Sequence, residues 1–133
     1  MLIPNIHFPG NCEEAIGFYK EAFGAEVKEI NYFRDAPLAC GLDDSLPPNF
    51  VMNSEVMILG TLITMTDGGE KPISGENFSF LIYLDTAEEV ISVFDKLADN
   101  GKVIQPLGAQ FWVSIYGVVE DRFGVNWQVS MRE

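Results

Sequence analysis

The segment Glu13–Lys20, with the sequence EEAIGFYK, recurs in altered form as Glu88–Asp95, EEVISVFD. The second copy begins 75 residues after the first, which is more than half the length of this 133-residue chain. Apolar residues at positions 15, 18, 19, 22 and 23 return at positions 90, 93, 94, 97 and 98. In each copy this spacing places the apolar side chains along one face of a helix. The sequence therefore predicts two amphipathic helices related by an internal duplication.

The residues at the ends of both predicted helices support the duplication. Asn11 and Thr86 precede the two helices, and each is followed three residues later by a glutamate. This arrangement is typical of helix N-caps. Gly24 and Gly101 follow the two apolar stripes, where glycine commonly ends a helix.

The segments around each helix predict strands in the same order in both halves. Strands are expected near 3–8, 26–33, 50–59 and 61–66 around a helix at 12–23, with a long loop at 34–49. In the second half they are expected near 78–84, 103–105, 111–120 and 125–132 around a helix at 87–100. We predict an α+β fold of two β-α-β-β-β modules: module one at 1–67, a linker at 68–77 and module two at 78–133.

Composition limits the classes of partner and the compartment. Eight basic and twenty acidic residues give a net charge of −12, which disfavours a nucleic-acid phosphate surface. No apolar run reaches the length of a membrane span, and no secretory signal begins the sequence. Cys12 and Cys40 have neither metal-ligand spacing nor a disulfide pattern. Cys12 begins a helix, so both a reactive thiol and a plain buried cysteine are open. We expect a cytoplasmic protein with no nucleic-acid or membrane partner.

Two strands show which residues share a face. In the segment 125–131, VNWQVSM, every odd position is apolar and every even position is polar, so Trp127 is expected in the core. In the segment 78–84, FSFLIYL, Leu81 and Tyr83 share the face of Ser79, away from the core. Because two large side chains on that face are too apolar for free solvent, a cleft or a subunit contact is expected there.

Three motifs resemble the PhnB-like branch of the vicinal oxygen chelate superfamily, which includes glyoxalase I, bleomycin-resistance proteins and extradiol dioxygenases. They are FPGN at 8–11, MTDG at 65–68, and FW at 111–112 leading to GVVEDRFGVNW at 117–127. The resemblance implies a single domain over 1–133, in which the paired modules form a cupped, eight-stranded mixed sheet with helices on its outer face. It also implies a homodimer.

Enzymes of this superfamily hold a divalent metal in the cup through His or Glu side chains of the first, fourth, fifth and eighth strands. The resemblance carries these four positions to Pro4, Thr64, Ser79 and Gln128. None offers an imidazole or a carboxylate, the ligands that such cations prefer, so we expect no metal and no cofactor. His7 would reach the first-strand position only by a slide of three residues, which places it on the opposite face.

Catalytic residues cannot be assigned from the sequence. The glutamate pairs that begin the helices are interpreted as partners of the helix dipoles, and Asp67 and Asp121 as turn residues. Glu120 could point into the cup, but its register is open. A single histidine supports no Ser-His-Asp or Cys-His arrangement. Arg34 could cover the cup or be solvated.

The preferred interpretation is a metal-free binding protein for a small organic molecule. Polar ligand contacts are expected from Thr64, Ser79, Asn126 and Gln128, and an apolar wall from Leu81, Tyr83 and Trp112. Trp112 and its neighbour Tyr116 are placed on strands lining the cup, where core or dimer packing is equally open. The alternatives are a metal-dependent lyase or dioxygenase, and a protein whose cup is filled by its own side chains.

Overall fold

A computed structural model describes residues 1–35, 47–68 and 75–133 of the chain. Cys40 and parts of the predicted loop and linker lie outside these ranges. The chain divides into two compact units, Met1–Pro72 and Ile73–Glu133. The described part of each unit contains one α-helix and four strands in the order β-α-β-β-β. The predicted fold class, α+β with two tandem βαβββ modules, is confirmed.

Unit 1 begins with a short strand, and its helix has the predicted bounds. Its elements are β1 (Asn5–Phe8), α1 (Cys12–Phe23), β2 (Glu26–Tyr32), a 3-10 turn (Phe33–Asp35), β3 (Val51–Ile58) and β4 (Thr61–Asp67). The strands lie in the order β1-β4-β3-β2. β1 runs parallel to β4, and the other pairs are antiparallel.

Unit 2 repeats this plan. Its elements are β5 (Phe80–Leu84), α2 (Ala87–Ala98), β6 (Lys102–Gln110), β7 (Val113–Glu120) and β8 (Asn126–Met131). The strand order is β5-β8-β7-β6, with β5 parallel to β8. The sequence prediction for β6 was too short: a strand expected near 103–105 covers nine residues, because Pro106 lies on an edge strand with an irregular register. Neither described helix is long and apolar enough to cross a membrane.

Each helix covers one face of its own sheet. In unit 1, Tyr19 of α1 is fully buried together with Phe8, Ile63 and Met65 of the sheet. Each such side chain stabilises the fold by about 1.5–3 kcal/mol relative to an exposed position. In unit 2 the buried residues include Val90, Phe94, Leu97, Trp127 and Val129. The prediction that Trp127 belongs to the core is confirmed.

The two helix N-termini are capped differently. The hydroxyl of Thr86 accepts a hydrogen bond from the backbone N–H of Glu89 at 3.2 Å, as predicted. The side chain of Asn11 makes no such bond, and its Oδ1 is buried without a hydrogen-bond partner among the described residues. Asn11 occupies the predicted N-cap position, but the predicted side-chain cap is absent, and a carboxylate at the end of β4 instead accepts a hydrogen bond from the backbone N–H of Cys12.

That carboxylate belongs to Asp67, at the end of β4. Its Oδ1 accepts hydrogen bonds from the backbone N–H groups of Gly10 at 2.9 Å and Cys12 at 3.0 Å. Its Oδ2 accepts one from Val51 at 2.9 Å. Asp67 is 7% exposed, and these three donors offset the cost of burying its charge. One side chain thus joins β4, the start of α1 and the start of β3.

Asp121 plays the corresponding structural role in the turn between β7 and β8. Its Oδ1 accepts from the backbone N–H groups of Phe123 at 2.8 Å and Val125 at 3.1 Å, and its Oδ2 accepts from the Trp127 ring nitrogen at 2.9 Å. The expectation that Asp121 orders its turn is confirmed. The same carboxylate also fixes the largest aromatic side chain of the unit 2 core.

The two helix C-termini differ as well. Gly24 caps α1 with a left-handed backbone at φ 68°, as predicted. α2 ends at Ala98, and Asn100, not Gly101, takes the left-handed conformation at φ 58°. Gly101 is required for another reason: a Cβ there would collide with the backbone carbonyl oxygen of Glu120.

Replacing Asp67 with Asn should destabilise the protein by about 2–4 kcal/mol. An amide has one acceptor oxygen, so its NH₂ group would face a backbone N–H that now lacks a partner. Urea unfolding followed by circular dichroism measures the change. Asp85→Asn is the control, since Asp85 is exposed and forms a 3.6 Å ion pair with Arg132; its effect should stay within about 0.5 kcal/mol. Equal losses in the two variants would contradict the role given to Asp67.

Two glycine substitutions should have opposite effects on stability. Gly17 lies inside α1, and a Cβ added there would meet no atom within 4 Å, so Gly17→Ala should stabilise by about 0.5–1 kcal/mol. Gly101→Ala should destabilise by about 1–3 kcal/mol, because the backbone of Glu120 must move. Thermal unfolding of both variants beside the wild-type protein tests the pair. A stabilised Gly101→Ala protein would show that this close approach is not rigid.

Candidate functional site

The sheet face of unit 2 that points away from α2 holds most of the predicted site. Strand alternation places Leu81 and Gln128 on this face, because their neighbours Ile82, Trp127 and Val129 are buried in the core. We call it the open face of unit 2. Its principal residues are Ser79, Leu81, Tyr83, Tyr116, Val118 and Gln128.

Three side chains on the open face of unit 2 form a hydrogen-bonded chain. The hydroxyl of Tyr116 donates to Oε1 of Gln128 over 2.5 Å. Nε2 of Gln128 donates to Oγ of Ser79 over 2.8 Å. All three residues are half-buried, and each comes from a different strand or the segment just before one. The two predicted residues Ser79 and Gln128 are therefore brought together, and Tyr116 joins them.

Apolar side chains flank this chain of hydrogen bonds. Leu81 lies directly beside Gln128 in the parallel β5–β8 pair and is 47% exposed. Tyr83 lies two residues further along β5 and is 51% exposed. The guanidinium of Arg132 lies 5.4 Å from the centre of the Tyr83 ring. Large exposed apolar groups beside fixed polar atoms are typical of small-molecule sites.

Trp112 lies elsewhere than predicted. It was expected on a strand, but Phe111 and Trp112 form the two-residue turn between β6 and β7. Trp112 is 55% exposed and packs edge-on against Tyr116, with ring centres 5.8 Å apart. The aromatic character of the segment suggested a strand, whereas the longer β6 brings the turn to these two residues. Trp112 still contacts the open face through Tyr116.

The side chain of Asn126 is already hydrogen-bonded within the protein. Its Nδ2 donates to the backbone oxygen of Gly75 at 3.0 Å, and it pairs across the strands with Glu120. The register also answers the question left open for Glu120: it lies on the open face of unit 2, because its neighbour Val119 is buried.

Thr64 lies on the corresponding face of unit 1. Its hydroxyl donates to Oδ1 of Asn5 at 2.8 Å, and its strand neighbours are Asn5 and Glu55. In this unit the face away from α1 is mostly polar, apart from the paired side chains of Met57 and Leu62. Its polar residues are Asn5, His7, Glu29, Asn31, Asn53, Glu55, Thr64 and Thr66.

The structure corrects the face predicted for His7. His7 is exposed and lies on the same face as Thr64, with Nδ1 3.5 Å from Oγ1 of Thr66. The error has a simple origin. Three residues connect β1 to α1, whereas two connect β5 to α2. Corresponding residues of α1 and α2 are therefore 75 positions apart, whereas those of β1 and β5 are 76 positions apart. Counting back from α1 gives Pro4, but the residue that corresponds to Ser79 lies one position earlier.

The carboxylates and amides on the face of unit 1 away from α1 were not predicted from the sequence. Glu29 pairs directly with Glu55 across β2 and β3, and Asn31 pairs with Asn53, to which it donates a hydrogen bond of 2.8 Å. The alternation of β3 could have indicated Asn53 and Glu55. It was obscured because a polar residue, Ser54, lies on the buried face, where its hydroxyl donates to the backbone oxygen of Met65.

The described residues do not provide the donor set of a divalent metal site. Within 1–35, 47–68 and 75–133 no three His, Cys, Asp or Glu side chains form a group that could hold a metal ion. At the carried-over positions, Ser79 and Gln128 bind each other and Thr64 binds Asn5. Their neutral oxygen and nitrogen atoms do not fit a catalytic cation. Arg34, the possible lid residue, is exposed and stacks 4.0 Å from the Tyr32 ring.

Cys12 is a buried thiol. It is fully excluded from solvent at the start of α1. Burial, and then the negative charge of Asp67, raise the pKa of the Cys12 thiol well above its usual range. The thiolate is the nucleophilic form, so a reactive cysteine at this position is not supported. The helix N-terminus lowers cysteine pKa values in other settings, but here the Asp67 carboxylate accepts a hydrogen bond from the backbone N–H of Cys12 itself.

Cys12 should resist thiol reagents in the folded protein. In a Cys40→Ser variant, labelling by 5,5′-dithiobis(2-nitrobenzoate) at pH 8 should be on the order of 10³-fold slower than in denaturant, because the thiol reacts only after opening. Absorbance of the released thiolate measures both rates. Rapid stoichiometric labelling of the folded variant would show that Cys12 is reactive.

Comparisons with known proteins agree with this architecture. The family described as 3-demethylubiquinone-9 3-methyltransferase matches residues 1–130. Protein YjdN of Escherichia coli strain K12 is 31% identical over 140 residues, covering 98% of this chain and 94% of that protein.

Solved structures share the fold. Protein PA1353 from Pseudomonas aeruginosa has a TM-score of 0.85 and 27% identity, covering 99% of this chain and 97% of that one. The PhnB protein from Bacillus cereus has a TM-score of 0.84 and 24% identity, with 98% of both chains covered. The fosfomycin resistance protein FosX from Listeria monocytogenes is a more distant neighbour, with a TM-score of 0.68 and 12% identity over 98% of this chain and 91% of FosX. The chain therefore belongs to the PhnB-like family described as 3-demethylubiquinone-9 3-methyltransferase, within the vicinal oxygen chelate superfamily.

Proposed function

We propose that this protein binds a small, uncharged organic molecule on the open face of unit 2. The observation that carries the proposal is the fixed chain from Tyr116 through Gln128 to Ser79, flanked by the exposed side chains of Leu81 and Tyr83. The polar atoms would orient the ligand, and the apolar groups would supply most of the binding free energy.

The chemistry of the face favours binding over turnover. Acid–base catalysis needs a titratable group close to the reacting atoms. Ser79 and Gln128 are neutral and are engaged with each other. Glu120 lies on the same face, opposite Asn126, but among the described residues no hydrogen bond joins it to Ser79, Gln128 or Tyr116. The proposed role for these residues is recognition, with no catalytic step assigned.

The description of the family names a methyltransferase, but the sequence does not support methyl transfer. A Gly-rich loop that follows a strand and opens a helix is a common signature of nucleotide-type cofactor sites. The segments that open α1 and α2, PGN at 9–11 and DT at 85–86, contain at most one glycine. The family relationship is therefore used for the fold, and the ligand is inferred from the face.

The second candidate is a metal-dependent lyase or dioxygenase, which the superfamily resemblance keeps open. It would require ligands other than the four carried-over positions. Elemental analysis of the purified protein, with thermal shifts on adding Mn²⁺, Ni²⁺ and Zn²⁺, separates the two candidates. The homodimer and the cytoplasmic location inferred from the sequence remain predictions.

Uncharged bicyclic aromatic fragments should bind the wild-type protein, and Ser79→Ala should weaken that binding about 2–10-fold, the value of one neutral hydrogen bond. Ligand-observed NMR titrations measure the dissociation constants. Ser92→Ala is the matched control, since Ser92 is exposed on α2. Absence of binding, or equal weakening in both variants, would overturn the proposed site. A stoichiometric metal with a large thermal shift would favour the enzyme instead.

A further inference from the structure

We propose that Tyr116 determines which ligands the open face of unit 2 accepts, by fixing the amide of Gln128 so that hydrogen-bond donors remain for the ligand. The ligand class would be a flat aromatic compound carrying a carbonyl-type acceptor oxygen. This inference rests on the proposed function and specifies the chemistry of the same face.

The hydrogen-bonding capacity of the three groups determines which donors are left for a ligand. A glutamine amide has two N–H donors and one acceptor oxygen, and a hydroxyl group has one donor hydrogen. The hydroxyl hydrogen of Tyr116 is used on Oε1 of Gln128, and one Nε2 hydrogen is used on Ser79. What remains is the second Nε2 hydrogen of Gln128 and the hydroxyl hydrogen of Ser79.

The remaining donors matter more than the remaining lone pairs. Oε1 of Gln128 and Oγ of Ser79 each accept one hydrogen bond, and the hydroxyl group of Tyr116 donates one. An oxygen with one partner is tolerated in a buried site more readily than an N–H or O–H hydrogen with none. A ligand that covers this face must therefore present an acceptor to the two remaining hydrogens or incur the cost of burying them without a partner.

The hydroxyl group of Tyr116 determines which polar atoms of the Gln128 amide remain available to the ligand. The side chain of Tyr116 comes from β7, in register with Ser130 and two residue pairs along from the pair formed by Val118 and Gln128. Its ring is held edge-on by Trp112 at 5.8 Å. Without the phenolic hydroxyl, Oε1 of Gln128 would lose its donor and would be free to accept a hydrogen bond from the ligand, so a ligand with a donor would be accepted equally well.

The side chains beside the Gln128 amide indicate the chemistry of the rest of the ligand. Leu81 lies beside Gln128 on one strand and Val118 on the other, so the amide is set between two apolar side chains. No charged side chain bonds to Ser79, Gln128 or Tyr116 among the described residues. A flat, uncharged ring with a single acceptor oxygen fits this arrangement better than a carboxylate, because the Arg132 guanidinium beside Tyr83 is already paired with Asp85.

Three probes of similar size test the proposal: 1-indanone presents an acceptor, indole presents a donor, and indene presents neither. In ligand-observed NMR titrations of the wild-type protein, 1-indanone should bind about 5–10-fold more tightly than indole. Tyr116→Phe should bring this ratio close to one. Tyr32→Phe deletes a hydroxyl group outside the hydrogen-bonded chain and should leave the ratio unchanged.

Gln128→Glu gives a second, independent test with nearly the same side-chain shape. A carboxylate would accept hydrogen bonds from both Tyr116 and Ser79 and would offer no donor, so the preference should reverse toward indole. Circular dichroism and thermal unfolding check that each variant is folded. A ratio unchanged in both Tyr116→Phe and Gln128→Glu overturns the proposal while leaving the binding site intact. Failure of all three probes to bind the wild-type protein overturns the proposed function itself.

Discussion

The buried carboxylate of Asp67 holds unit 1 together at the point where three segments meet. Its hydrogen bonds to Gly10, Cys12 and Val51 are all made to backbone N–H groups, so they fix the path of the chain and not only side-chain packing. α1 is thereby anchored against one face of its sheet. Beside it the Asn11 side chain makes no cap hydrogen bond, and burial, followed by the charge of this carboxylate, raises the pKa of the Cys12 thiol. In unit 2, Asp121 anchors the turn before β8 and the Trp127 side chain in a comparable way.

Anchoring a helix on one face leaves the other face of each sheet for function. The two units share strand order and helix length, yet these faces have different chemistry. Unit 1 presents carboxylates and amides, with Glu29 directly opposite Glu55. Unit 2 presents a neutral hydrogen-bonded chain among apolar side chains. A duplicated scaffold can diverge in this manner because the outward positions of a strand contribute little to the core, so substitutions there are tolerated.

The sequence predicted the elements of the fold well and their exact alignment less well. The apolar stripes gave both helices, and the alternation of β8 gave the burial of Trp127 and Val129. The register of β1 was missed by one residue, because an extra residue in the β1–α1 connection leaves no mark on periodicity. That single residue decides whether Pro4 or His7 shares a face with Thr64. The length of β6 was missed because a proline in an edge strand resembles a loop.

The sequence by itself determined the duplication, the two amphipathic helices and the face on which each residue of β8 lies, because these depend on periods of 3.6 and 2 residues within short segments. Only the tertiary structure decided which polar groups meet. Ser79 and Gln128 are 49 positions apart, and Tyr116 and Gln128 are 12 apart. Their contacts arise from the pairing of β8 with β5 on one side and β7 on the other. Pairing between strands distant in sequence is set by the packing of the whole unit, so no local pattern contains it.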